Sequence, residues 1–224
     1  MFNPQKYSDI FEINPLPTAN IKNIFGFDVV IIDGVYNDIS KVETLARAIP
    51  ANIWKDIPGG KNWIEYYDCR LELLTRFGLE KFWEMMSKIV DSIYGFKTEF
   101  NNLFLVNYFK WIIKKEETVI GNMPHQDIGM SDFTVVTFLN NDSEVRGGIG
   151  FYQMHNNNIN LDGKEEQSYY FDDVFKHWTV PEVVPAKSNR AVIFPSEMWH
   201  GAFHSQYDFR DNVRLTQSMF LQKG

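Results

Sequence analysis

The chain has 224 residues, with 22 Lys and Arg against 29 Asp and Glu, for a formal charge of −7. Hydrophobic residues make up 44% and aromatics 16%, which excludes a disordered or low-complexity chain and provides enough apolar surface for a sizeable core. The acidic balance argues against a surface built to grip phosphate backbones, and the one cysteine, Cys69, cannot form an internal disulfide. No apolar run approaches the roughly 20 residues of a membrane span, and the N-terminus lacks the apolar core of a signal peptide. These features predict a single domain in a soluble, cytoplasmic protein.

In chain order, Phe27-Asp-Val-Val-Ile-Ile reads as a strand that turns at Asp33-Gly34. A helix is predicted at 39–48, with Asp38 as N-cap, Val42, Leu45, Ala46 and Ile49 inward, and Pro50 as the stop. A second spans 79–93, where Leu79, Phe82, Trp83, Met86, Ile89, Val90 and Ile93 form one apolar stripe ahead of Gly95. Residues 1–100 thus read as a helical N-terminal extension packed on a C-terminal β-rich core.

After residue 100 the period shortens. Leu103–Phe109, Thr134–Leu139, Ile149–Tyr152, Ala191–Phe194, Met198–His204 and Val213–Phe220 read as short strands rich in β-branched and aromatic residues. The turns Asn140-Asn141-Asp142 and Gly147-Gly148 suggest a hairpin after Leu139, and a second hairpin is expected between the His200 and Arg214 strands. Residues 153–190 read as an irregular insert carrying Tyr169, Tyr170, Phe171 and Trp178, either a cover for the pocket or a solvated loop remote from it. Helices followed by six or more strands predict an α+β chain with its strands in a sandwich or barrel.

His125 and Asp127 stand two apart on an extended segment, so both side chains point the same way and both can ligate one metal. On its own the motif reads more readily as a polar loop, since such a pair arises easily by chance. A second imidazole arrives from a distant strand, either His200 after Phe194-Pro195 or His204 four residues on. Two histidines and one carboxylate leave open positions on an octahedral metal, as in non-haem Fe(II) oxygenases. Arg214, on the final strand, offers a planar fork suited to a carboxylate bound at that open face. No GxGxxG, P-loop, GxSxG or paired cysteine motif is present, and His155 and His177 read as surface residues of the insert.

The order HxD, a strand ending in Phe-Leu-Asn, a Gly-Gly turn, FPxxxxH and a later Arg resembles the Fe(II)- and 2-oxoglutarate-dependent dioxygenases, in their prolyl-hydroxylase-like branch. The resemblance covers roughly residues 103–221, and VIIDGVYNDISKVETLARAIP upstream is similar to the opening segment of such enzymes. It implies a double-stranded β-helix (jelly roll) over 101–224 with flanking N-terminal helices. It also implies iron on His125, Asp127 and the distal histidine, with His200 favoured by its spacing from Phe194-Pro195. Arg214 would hold the far carboxylate of 2-oxoglutarate. Asn107 and Tyr108 would lie where the family places a polar group touching the cosubstrate, although a packed Tyr is the equal alternative. Thr216 and Ser218 alternate with Arg214 and are expected in the same cavity. The implied activity consumes O2 and 2-oxoglutarate and hydroxylates an unactivated C–H bond of a peptide, amino acid or small metabolite. Asp127 stands where the related halogenases have a small residue. The rival expectation is a cupin-like metal- or small-ligand-binding barrel without turnover, which has no need of Arg214.

Overall fold

The computed structural model describes residues 10–48, 55–56, 64–70, 79–99, 108–114, 124–129, 131–154, 178–179, 181–203 and 214–224; at 55–56, 64–70, 79–80, 99 and 108–114 it describes the backbone. Strands β1 (Thr18–Ile24) and β2 (Phe27–Asp33) open the chain as an antiparallel hairpin. Their turn residues Phe25 and Gly26 have φ of 53° and 89°, the left-handed pair that matches the twist of a two-residue hairpin. Helix α1 (Ile39–Ala48) begins at Asp38 as expected: its carboxylate accepts the Ser40 amide at 3.1 Å, and Val42, Leu45 and Ala46 turn inward. The expected inward Ile49 and the Pro50 stop lie outside the described residues.

Short β3 (Lys55–Asp56) and β4 (Ile64–Arg70) precede helix α2 (Leu79–Tyr94). Of the predicted stripe, Phe82, Met86 and Val90 are fully buried, Trp83, Ile89 and Ile93 pack against the same core, and the Leu79 side chain lies outside what is described; Gly95 at φ 71° ends the helix. Burying each such side chain contributes roughly 1.5–3 kcal/mol. After β5 (Thr98–Glu99), the remaining strands are β6 (Tyr108–Lys114), β7 (Phe133–Phe138), β8 (Gly148–Phe151), β9 (Glu182–Pro185), β10 (Arg190–Pro195), β11 (His200–Phe203) and β12 (Arg214–Lys223).

These form two antiparallel sheets. The larger runs β1-β2-β10-β7-β12-β6-β4-β3, with β5 added on β12, and the smaller runs β11-β8-β9. The backbone of His125 adds to the free side of β11, exchanging two 2.9 Å bonds with His200. Alternation along the central strands gives the large sheet two buried faces. Val135, Ala191, Ile193, Leu215 and Met219 pack under α1 and α2, whereas Phe138, Val192 and Phe194 face Ile149, Phe151 and Val184 of the small sheet.

Four expectations need correcting. Among the described residues, the first hundred contain five strands besides the two helices; β1 was not legible because its residues are exposed up to Ile24 and show no apolar alternation. The Asn140–Gly148 turn is no hairpin, since β7 and β8 belong to different sheets, and the chain between β11 and β12 likewise changes sheet. Turn residues signal a reversal but not the partner, and strands buried on both faces carry no alternation to reveal it. Finally, the irregular stretch 153–190 is interrupted: Glu182–Pro185 is a strand and Arg190 begins another. The part at 155–177, with His155, His177, Tyr169, Tyr170 and Phe171, lies outside the described residues.

Candidate metal centre

His125, Asp127 and His200 meet between the sheets. Each offers one ligand atom, and the three atoms lie within 4.8 Å of one another. His125 and His200 are cross-strand partners, so their rings project to the same side, with centroids 4.5 Å apart. The Asp127 carboxylate enters from the segment following His125, with Oδ1 3.9 Å from His125 Nε2 and Oδ2 3.3 Å from His200 Nε2. The Asp127 and His200 side chains are only 10% and 6% exposed, but His125 is 46% exposed, so the cluster opens on the His125 side.

The His200 tautomer follows from its neighbour. Nδ1 stands 2.9 Å from the Met198 carbonyl, which can only accept, so Nδ1 carries a proton. In the neutral ring, the Nε2 lone pair then faces a carboxylate oxygen. A metal cation bound between these two atoms would satisfy both. The donor set suits a divalent transition metal of the Fe(II), Co(II) or Zn(II) kind. Burial pushes the Asp127 carboxyl upward, but hydrogen bonds from His200 and Thr134 and the charge of both imidazoles prevail, holding it below the usual aspartate range.

Arg214 is buried at the start of β12. Its Nη2 donates to the Gly148 carbonyl at 3.0 Å, tying β12 to β8 across the two sheets, and its guanidinium carbon lies 5.5 Å from the centroid of the Phe138 ring. Thr216 and Ser218 share the Arg214 face, since Thr216 pairs with Phe138, Ser218 with Val136 and Phe220 with Thr134, and Thr134 touches Asp127. The structure thus places Arg214, Thr216 and Ser218 on the same face between the sheets as Thr134, the hydrogen-bond partner of Asp127. Asn107 and the alternative ligand His204 lie outside the described residues, and Tyr108 is described by its backbone alone, paired with Ser218 on one side and Arg70 on the other.

Sequence reasoning missed the support around Asp127. Thr134 Oγ1 donates to its Oδ2 at 2.7 Å, and the Ser196 and Ser131 hydroxyls continue from Thr134. Asn140 was also missed as a support: its Oδ1 accepts the Leu215 amide at 2.7 Å, fixing the backbone next to Arg214. The available signal was faint, namely polar residues within or just beyond the ends of otherwise apolar strands.

No protein-family model matches the chain, and no curated protein does. Solved structures do. The non-haem α-ketoglutarate-dependent epimerase SnoN from nogalamycin biosynthesis superposes with a TM-score of 0.59 at 15% identity, over 87% of this chain and 78% of its own. SnoN has also been solved with Fe3+, α-ketoglutarate and nogalamycin RO. An oxidoreductase of the 2OG-Fe(II) oxygenase family from Burkholderia pseudomallei matches at TM-score 0.54 and 12% identity, covering 88% and 86%. A prolyl 4-hydroxylase from Phytophthora capsici matches at TM-score 0.50 and 16% identity, covering 88% of this chain and 59% of its own. The chain therefore has the fold of the Fe(II)- and 2-oxoglutarate-dependent oxygenases, prolyl hydroxylases included.

Proposed function

We propose that the chain is a non-haem Fe(II)- and 2-oxoglutarate-dependent oxygenase that hydroxylates a C–H bond of a peptide, amino acid or small metabolite. The observation that carries this reading is the gathering of His125, Asp127 and His200 on the face between the sheets that also bears Arg214. The double-stranded β-helix is the matching reading of the fold. Strands β6, β7, β10 and β12 lie in the large sheet, and the His125 segment, β8, β9 and β11 form the small one.

In this proposal His125, Asp127 and His200 hold the iron, leaving its other positions to cosubstrate and O2. With metal and 2-oxoglutarate bound, O2 would be the oxidant, one oxygen atom going to 2-oxoglutarate as it breaks down to succinate and CO2 and the other to the substrate C–H bond. The protein contributes binding, orientation and dryness. Arg214 pairs with the far carboxylate of 2-oxoglutarate through a guanidinium that stays charged when buried. Thr216 and Ser218 offer hydroxyls beside it, with Asn107 and Tyr108 as further candidates for the cosubstrate wall. Phe138, Val192 and Phe194 form an apolar interior that keeps bulk water away. Substrate approaches from the His125 side, where the cluster is open.

The test is succinate formation from 2-oxoglutarate by iron-loaded protein under air, in the presence of a substrate library. Wild type is expected to produce succinate, and Asp127→Ala to produce none. Iron binding with no succinate from any mixture would favour the cupin-like binding protein instead.

A further inference from the structure

The Asp127 carboxylate stands at the end of a chain of hydroxyls. Thr134 Oγ1 donates to Oδ2 at 2.7 Å, Ser196 Oγ lies 2.9 Å from Thr134 Oγ1, and Ser131 Oγ lies 2.7 Å from Ser196 Oγ. Each hydroxyl has one proton, and an ionised carboxylate only accepts. The Thr134 proton is committed to Asp127, so Ser196 must donate to Thr134. Its proton is then spent, and Ser131 must donate to Ser196. All three bonds therefore run one way, toward Asp127, and a chain of that sense polarises each successive donor.

The backbone fixes the same group. Asp127 N donates to Ser196 O at 2.9 Å, Ser131 N to Asp127 O at 3.3 Å, and Ser196 N to Asp132 O at 2.9 Å. Thr134 and Ser196 are 2% and 1% exposed, while Ser131 is half-buried, so the chain leads from near the surface to the carboxylate. Two buried hydroxyls are costly unless paired, and their pairing ends on Asp127.

We infer that Ser131, Ser196 and Thr134 form a one-directional positioning relay that locks the Asp127 carboxylate in its ligating orientation and sets the affinity of the metal site. This inference rests on the metal-binding reading above. Without the Thr134 bond the carboxylate is free to turn about its Cβ–Cγ bond, and the site loses its preformed geometry. Partners one step beyond the ligands typically change metal affinity about 10–100-fold.

The experiment is anaerobic Co(II) titration of the full chain, followed by calorimetry and by the visible absorption of the bound ion. Thr134→Val, which keeps the shape but removes the donor, is expected to weaken Co(II) binding about 10–100-fold and to alter the spectrum. Thr134→Ser restores the hydroxyl and both readouts. Ser196→Ala weakens binding to a lesser degree, and adding it to Thr134→Val costs nothing more, because the relay passes through Thr134. Should Thr134→Val not fold, Ser196→Ala and Ser131→Ala carry the test, each expected to weaken binding, and unchanged affinity in both overturns the relay. Wild-type affinity and spectrum in Thr134→Val would overturn it while leaving the metal site standing. Loss in Thr134→Val that Thr134→Ser does not repair would also overturn it, by assigning the effect to the methyl group. Failure of the wild type to bind Co(II) would instead remove the metal reading itself.

Discussion

Arg214 is the side chain on which the choice between an oxygenase and a simple metal-binding barrel turns. A dianion chelating the metal at one end needs a cation for its far carboxylate, and a guanidinium meets it with two parallel donors. Removing one partner of such a buried pair costs about 3–5 kcal/mol, which at 1.4 kcal/mol per tenfold is roughly 10² to 4 × 10³ in affinity. Arg214→Ala is therefore expected to raise the 2-oxoglutarate Kd by that factor while Co(II) affinity survives, since guanidinium supplies no ligand atom. Arg214 also donates to Gly148 O, so Arg214→Ala loses some stability as well, and the comparison belongs below the melting transition of each variant. A near-native Kd would mean that Arg214 only ties β12 to β8.

At the scale of elements, the site depends on how β2, β10 and the helices hold the large sheet. Asp33 at the end of β2 is paired in register with Arg190 at the start of β10, accepting from its Nε at 2.6 Å and Nη2 at 3.0 Å, and from Lys187 at 3.0 Å. The Arg190 hydrogen bonds, opposed by burial and aided by Lys187, hold the Asp33 carboxyl below the usual aspartate value. A depressed carboxyl stabilises the fold at pH above its unfolded value of about 3.9 and loses that contribution as pH falls through its folded value. Asp33→Asn should be less stable than wild type by about 1 kcal/mol near pH 6, the scale of a well-formed pair close to the surface, and the gap should close on acidification below about pH 4. Urea unfolding at the two pH values checks this, and a gap that persists in acid would contradict it. On the far side of the sheet, Phe82 of α2 is fully buried and stacks on Tyr36, with ring centroids 5.4 Å apart and planes at 14°. Phe82→Ala should cost about 3–5 kcal/mol in urea unfolding. Because Phe82 and Asp127 lie on opposite faces of the sheet, the folded variant should keep the wild-type Co(II) spectrum.

Taken whole, the molecule shows which parts of such a fold a single sequence exposes. α2 was legible because seven apolar residues recur at helical spacing, and α1 because Asp38 caps it. The His125-x-Asp127 pair was legible because extended backbone points alternate side chains the same way, and Phe194-Pro195 placed His200 on its strand. The traffic between sheets was not. β8 is buried at all four residues and β7 at five of six, so neither shows which face meets which sheet. The edge strand β1 was hidden for the opposite reason, having little apolar surface to pattern. The hydroxyl chain was invisible because Ser131, Thr134 and Ser196 are common residue types brought together only by pairing β7 with β10.

Anaerobic titration of Fe(II)-loaded protein with 2-oxoglutarate tests whether His125, Asp127, His200 and Arg214 together hold iron and the cosubstrate. The site predicts a weak visible metal-to-ligand charge-transfer band that saturates with 2-oxoglutarate in wild type, is absent in Asp127→Ala, and needs far more 2-oxoglutarate in Arg214→Ala. Tight Fe(II) binding by the wild type with no such band at any 2-oxoglutarate concentration would overturn that assignment.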